Sequence, residues 1–210
     1  MPARGKPAAE RILVLGIGNI LWADEGFGVR ALELFHRRYA VPENVTILDG
    51  GTQGLYLLPH VQCAKRLIVF DAVDYGLEPG SVRVVADDDV PRFLGAKKMS
   101  LHQTGFQEVL ASAALIGAMP ERLMLFGVQP EELEDFGGSL RPCVRARVAE
   151  AVAWVVDLLI EWGHAPTPRD APQEDGSPLS LHAYESGRPS AEAACRVGDA
   201  RVLRAWGVSC

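Results

Sequence analysis

The chain has 210 residues, 48% of them hydrophobic and 23% charged, a mixture that excludes a wholly disordered or collagen-like polymer. That length suits one substantial domain better than two small ones. With 27 acidic against 21 basic residues the formal net charge is -6, so nothing favours a nucleic-acid backbone or an anionic bilayer as a partner.

The longest apolar runs, such as Ile12 to Leu15 and Leu67 to Phe70, fall far short of the roughly 18 to 20 residues that span hydrocarbon. No membrane crossing is expected. The first ten residues are charged (Arg4, Lys6, Glu10) and read as a flexible N-terminus without the apolar core of a secretory signal, so the expected location is the cytoplasm. Cys63, Cys143, Cys195 and Cys210 are scattered and fit neither a disulfide framework nor a thiolate metal knuckle; reduced thiols are expected.

In chain order, Arg11 to Gly16 is an aliphatic run ending in Gly16 and Gly18, a buried strand followed by a tight turn. Val29, Leu32, Phe35 and Tyr39 recur at helical spacing over Glu25 to Tyr39, and Pro42 ends the pattern. A second strand, Val45 to Leu48, stops at Asp49 and Gly50, and a short helical stretch runs from Gly54 to about His60. The third strand is Leu67 to Phe70, ending in Asp71. Ser81 to Val85 reads as a strand too, but the segment 71–80 is shorter than the dozen or so residues of a parallel crossover, so this strand should lie antiparallel. Phe106, Val109, Leu110 and Ala113 give a helical face after Gln103, Leu123 to Val128 supplies a fifth strand, and a long amphipathic helix carries Val144, Val148, Val152 and Val155.

The pattern predicts a three-layer α/β fold: a mostly parallel, twisted five-stranded sheet with one antiparallel strand, flanked by helices. A single domain is expected over 11–163. Beyond it, 164–210 is a tail broken by Pro166, Pro168, Pro172, Pro178 and Pro189, with one short helix around Ala191 to Ala205.

Ligands of such sheets bind outside the carboxyl ends of the strands. That rule selects Asp24 and Glu25 after the first strand, Asp49, Gly50, Gly51 and Thr52 after the second, Asp71 and Asp74 after the third, and His102 at the approach to the third helix. A dinucleotide site is the first reading, from Gly16-x-Gly18 and Asp49, but Leu21 stands where the third glycine belongs and Asp24 and Glu25 repel a pyrophosphate. The second reading joins Glu25, Asp71 and His102 in a divalent-metal site, since two carboxylates and an imidazole suit Zn, Ni, Co or Mn and leave positions open for chemistry. Against it, acidic residues at helix starts commonly just stabilise the helix dipole. The third is hydrolytic: Asp49 paired with Asp24 or Asp71, sharing a proton as acid and base. Serine or cysteine catalysis has no matching motif.

The segments Gly16-Ile-Gly-Asn-Ile-Leu-Trp-Ala-Asp-Glu-Gly-Phe-Gly-Val29, Asp49-Gly-Gly-Thr-Gln-Gly-Leu55, Asp71-Ala-Val-Asp-Tyr-Gly-Leu-Glu-Pro-Gly80, Lys97-Lys-Met-Ser-Leu-His-Gln103 and Gly137-Gly-Ser-Leu140 together resemble the nickel-iron hydrogenase maturation endopeptidases, above all the branch serving uptake hydrogenases. The resemblance implies that Glu25, Asp71 and His102 contact metal, and that Asp49 with Gly50, Gly51 and Thr52 serves catalysis or substrate recognition. It implies a partner, the precursor of the hydrogenase large subunit, whose C-terminal extension is cut off after nickel insertion. The nickel would arrive on the substrate, held there by thiolates, with no tightly held metal in the free enzyme. An open oxygen and nitrogen triad would complete that coordination and so check the substrate's readiness, with His102 able to ligate only when neutral. Asp49 is the preferred acid or base. A metal-sensing chaperone that holds the immature subunit without cutting it would present the same residues.

Overall fold

The computed structural model describes residues 10–94, 101–173 and 179–187, with the backbone alone at 92–94 and 101–104. The elements are β1 (Ile12–Ile17), a 3-10 turn (Ala23–Gly26), α1 (Phe27–Arg38), β2 (Tyr39–Ala40), β3 (Val45–Gly51), a second 3-10 turn (Gly54–Leu57), α2 (Leu58–Cys63), β4 (Arg66–Ala72), β5 (Val82–Ala86), α3 (Asp89–Leu94), α4 (Leu101–Leu115), β6 (Arg122–Val128), α5 (Pro142–Glu161), β7 (Thr167–Pro168) and α6 (Leu181–Gly187). The chain divides into two units, 1–174 and 175–210, and α6 is the helix described in the second.

Five strands form one sheet in the order β3-β1-β4-β6-β5. β1 runs parallel to β3 and β4, and β4 parallel to β6, whereas β5 is antiparallel to β6. This is the expected mostly parallel sheet. The helix-bearing connections from β1 to β3 and from β3 to β4 are long enough for crossovers, while the bare segment 73–81 between β4 and β5 is not.

Alternation along the strands divides the core into two layers. Ile12, Val14, Ile68, Phe70 and Phe126 pack on one face, with side chains of α1 and α5. Leu13, Leu15, Leu67, Val69 and Leu125 pack on the other, with α2 and α4. Strand segments buried on both faces favour apolar residues at successive positions, which is why Ile12 to Leu15 of β1 and Leu67 to Phe70 of β4 read as unbroken hydrophobic runs. Phe126 anchors the first layer, its ring centroid 5.4 Å from Trp154 of α5 and 6.3 Å from Phe70.

Several boundaries differ from the sequence expectation. Helix α1 begins at Phe27 because residues 23–26 first tighten into a 3-10 turn, with Ala23 at φ 33°. Tyr39 leaves the helix to pair with Pro168 in the two-residue ladder of β2 and β7. The segment after α5 therefore stays bound to the same unit: the Arg169 N–H donates to the Arg38 carbonyl at 2.8 Å and the Gln173 N–H to the Arg37 carbonyl at 3.0 Å. Helix α6 has no counterpart in the expectation, and the helix expected around 191–205 lies outside the described residues. No helix among the described residues is long and apolar enough to cross a membrane.

Candidate active site

The chain leaves β1 for β3 on one side and returns past β1 to β4 on the other, so β1 and β4 flank the point where the strand order reverses. Loops diverge there and open a crevice at the carboxyl edge. Glycine brings α1 down onto that edge: a side chain at Gly28 would run into the carbonyl oxygens of both Ile17 and Phe70. The 3-10 turn just before α1 packs against β4 as a result. Gly18 has φ +134, and a Cβ there would overlap the Glu25 carbonyl, so only glycine lets the turn close on the end of β1.

That turn carries two neighbouring carboxylates with different fates. Asp24 is completely buried, and its oxygens accept three backbone N–H groups: Glu131 and Glu132 at 2.9 Å each, and Arg141 at 2.7 Å. It ties the loop after β1 to the loop between β6 and α5, and its capacity to accept is directed at backbone. The reading that pairs Asp24 with Asp49 as proton-sharing acids therefore has no support here. Glu25 is half-buried, and loss of water pushes its carboxyl from 4.5 up to about 7.

A folded-state value above the unfolded one means that Glu25 favours the folded state fully below about pH 4.5 and loses that contribution as the pH rises through about 7. In metal-free protein, the melting temperature of wild type relative to Glu25→Gln should fall between pH 4.5 and pH 7.5. A difference that stays flat across that window contradicts the burial of this carboxyl.

Asp49 lies within β3, opposite Gly16 of β1. By the pleat it shares the face of Val45 and Ile47, the α1 side. Its residue is open to solvent, yet the surrounding protein pushes the carboxyl above its usual range, against the opposing pull of the Gly51 N–H and the Arg30 guanidinium. The Gly51 N–H donates to Asp49 Oδ1 at 2.9 Å, and Gly51 has φ +43. Gly50 is pressed against β1, where a Cβ would sit 2.8 Å from Leu15 Cδ1. Thr52 and Gln53 are exposed beyond it. Arg30, 3% exposed on α1, is held by Glu33 at 2.9 Å.

Asp71 lies inside β4 and is 1% exposed. It shares the face of Leu67 and Val69, the side of α2 and α4, so Asp49 and Asp71 enter the edge from opposite faces of the sheet. That arrangement does not favour a shared proton between them either. After β4 the chain is pinned by Gln129, whose Oε1 accepts the Tyr75 N–H at 2.8 Å and the Leu77 N–H at 3.1 Å while its amide donates to Asp74 Oδ1 at 3.0 Å. The Tyr75 phenol is held well above its usual range by burial and then by the charge of Asp71, with Arg83 opposing.

His102 is the second residue of α4, and its side chain lies outside the described residues. The backbone of its helix is fixed at this edge. Gly105, one turn on, approaches Gly54 so closely that a Cβ would lie 3.1 Å from Gly54 Cα, and α4 packs along the 3-10 turn that follows the Asp49 loop. Glu25, Asp49, Asp71 and the first turn of α4 thus belong to one edge of the sheet. Among the described residues no group of three His, Cys, Asp or Glu side chains stands ready to hold a metal ion. A carboxylate on the turn before α1, a second inside β4 and an imidazole on a helix start are residue types that would together suit a borderline divalent metal. Asp24, Arg30, Tyr75 and Gln129 act at this edge without having been singled out for these roles in the sequence.

A protein-family model described as hydrogenase maturation protease matches residues 29–158, a span that contains Asp49, Asp71 and His102 and begins just beyond Glu25. The chain is 59% identical over 197 residues to the hydrogenase expression/formation protein HoxM of Azotobacter vinelandii, covering 93% of this chain and 95% of that protein. It is 43% identical over 162 residues to the hydrogenase 2 maturation protease of Escherichia coli strain K12, covering 77% of this chain and 98% of that one. Among solved structures, the hydrogenase maturating endopeptidase HybD from E. coli matches with a TM-score of 0.71 at 41% identity, over 76% of this chain and 98% of that chain.

Proposed function

The chain belongs to the hydrogenase maturation protease family and is an endopeptidase of that kind, and we propose that it removes the C-terminal extension of the nickel-iron hydrogenase large-subunit precursor in the cytoplasm once nickel has been inserted. In this reading the nickel is part of the substrate. Glu25, Asp71 and His102 complete its coordination, and the free enzyme keeps no metal tightly. The ion then serves as a template that brings the scissile peptide to the carboxyl edge.

Asp49 acts there as the acid and base of an aspartyl endopeptidase. It takes a proton from the attacking water and returns it to the leaving nitrogen, a task helped by a carboxyl raised toward the working pH. Gly51 and Thr52 receive the extended substrate, because a backbone without a side chain at 51 admits a second chain closely, while Gly50, set against Leu15 of β1, holds this loop to the sheet behind them. What supports the reading is that the turn carrying Glu25 packs against β4, that Asp49 and Asp71 lie near the carboxyl ends of β3 and β4, and that the backbone of α4 near His102 meets the turn after β3, so all four belong to the carboxyl edge of one sheet.

The test is the intact mass of nickel-loaded and nickel-free precursor after incubation with the protein. Loss of a short C-terminal peptide from the loaded form alone is expected. Asp49→Asn should bind the loaded precursor and leave its mass unchanged; cleavage at the wild-type rate would remove Asp49 from the chemistry. A precursor of unchanged mass under every condition would leave a metal-sensing chaperone instead of a protease acting on this substrate.

A further inference from the structure

Gly127 has no backbone reason to be glycine. It lies inside β6, outside the set of glycines with positive φ, and a glycine within a strand weakens it. What its missing side chain provides is room. A Cβ at position 127 would overlap the Tyr75 hydroxyl and stand 3.0 Å from Tyr75 Cζ and 3.1 Å from Cε2.

Gly127 is also the register partner of Asp71 across the parallel β4 and β6 pair. Register partners in neighbouring strands, about 4.8 Å apart, send side chains to the same face. The hydroxyl that fills the place of a side chain at 127 therefore stands beside the Asp71 side chain, within the α2 and α4 layer against which the Tyr75 ring packs. The loop is rigid at this point, because Gln129 receives the Tyr75 N–H and the Val73 N–H donates to the Val128 carbonyl at 2.9 Å.

We propose that Tyr75 is a positioning residue for Asp71: its hydroxyl, lodged in the space left by Gly127, packs beside the buried carboxyl and limits the directions in which Asp71 can turn its oxygens to the metal carried by the substrate. The proposal rests on Asp71 as a contact to that metal. Partners behind a ligating group typically change metal affinity by about 10- to 100-fold. Glycine at 127 is then part of the same device, since any side chain there would evict the hydroxyl.

The experiment compares affinity for nickel-loaded and nickel-free precursor in wild type, Tyr75→Phe, Gly127→Ala and the double variant, all as full chains, with melting temperatures and steady-state cleavage alongside. Wild type should prefer the loaded form. Tyr75→Phe should lose about 10-fold or more of that preference, with affinity for the nickel-free form and melting temperature unchanged. The loss should appear in KM with kcat near wild type. Gly127→Ala should lose as much, and the double variant no more than either single one, because a hydroxyl already displaced cannot be lost twice. A Tyr75→Phe variant that keeps the full preference overturns the proposal while leaving metal recognition by Asp71 in place, and it decides the matter even where Gly127→Ala fails to fold. A wild type that binds both precursors equally overturns metal recognition and this proposal with it.

Discussion

Asp24→Ala should cost the protein a large share of its stability, while Glu25→Gln one residue later leaves it folded. The Asp24 carboxylate accepts the N–H groups of Glu131, Glu132 and Arg141 at 2.7 to 2.9 Å in complete burial. A hydrogen bond to a charged acceptor contributes about 1.5 to 3 kcal/mol, and a buried N–H left without a partner costs about 1 to 3 kcal/mol. These terms do not add fully, so a loss of about 3 to 5 kcal/mol is expected, a large share of a typical total of about 5 to 15 kcal/mol. For a chain of this size the melting temperature should drop by roughly 10 °C. Asp24→Asn should fall in between, since an amide keeps one acceptor oxygen but turns a donor toward a backbone donor. Thermal unfolding of the three variants checks this ordering; an Asp24→Ala protein that melts with wild type would remove the clamp from the account.

His102→Ala should have the opposite signature, a normal fold with no processing. His102 is the second residue of α4, and alanine is a better helix former than histidine, so the exchange does not threaten the helix. Removing a proposed ligand to the substrate's metal should lower cleavage of nickel-loaded precursor by at least about 100-fold, more than the loss of a partner standing behind a ligand. Affinity for the loaded precursor should fall to that for the nickel-free one. Processing at the wild-type rate by His102→Ala would count heavily against metal recognition.

The contrast between positions 24 and 25 also shows where sequence reading ends. The strands were legible because burial on both faces leaves nothing polar to interrupt Ile12 to Leu15 or Leu67 to Phe70. The antiparallel edge strand followed from the shortness of the segment before it. The rule that ligands gather at carboxyl ends selected Glu25, Asp49 and Asp71, although the last two prove to lie inside their strands instead of after them. The role of Asp24 has no local trace, since its partners are 107, 108 and 117 residues away. The same holds for Tyr75 and Gly127, which meet only because β4 and β6 become neighbours. The ladder of β2 and β7 spans two residues per strand, too few for alternation to appear.

Electrostatics separates roles at this edge more sharply than sequence position does. Glu25 and Asp49 both carry carboxyls raised by loss of water, but Asp49 also has the Gly51 N–H and Arg30 drawing it back. The two lie on different elements, one on the turn that packs against β4 and the other on the outer strand β3. In the proposed function that separation puts metal contact nearer β4 and proton transfer nearer β3.

The most direct measurement is anomalous diffraction from a crystal of the protein soaked in a divalent cation such as nickel or zinc. At soaking concentration one ion should be bonded, at about 2.0 to 2.2 Å in the case of zinc, by a carboxylate oxygen of Glu25, a carboxylate oxygen of Asp71 and an imidazole nitrogen of His102. An ion bound elsewhere, or a His102 ring directed away from the Asp71 carboxylate across the far side of α4, would contradict it.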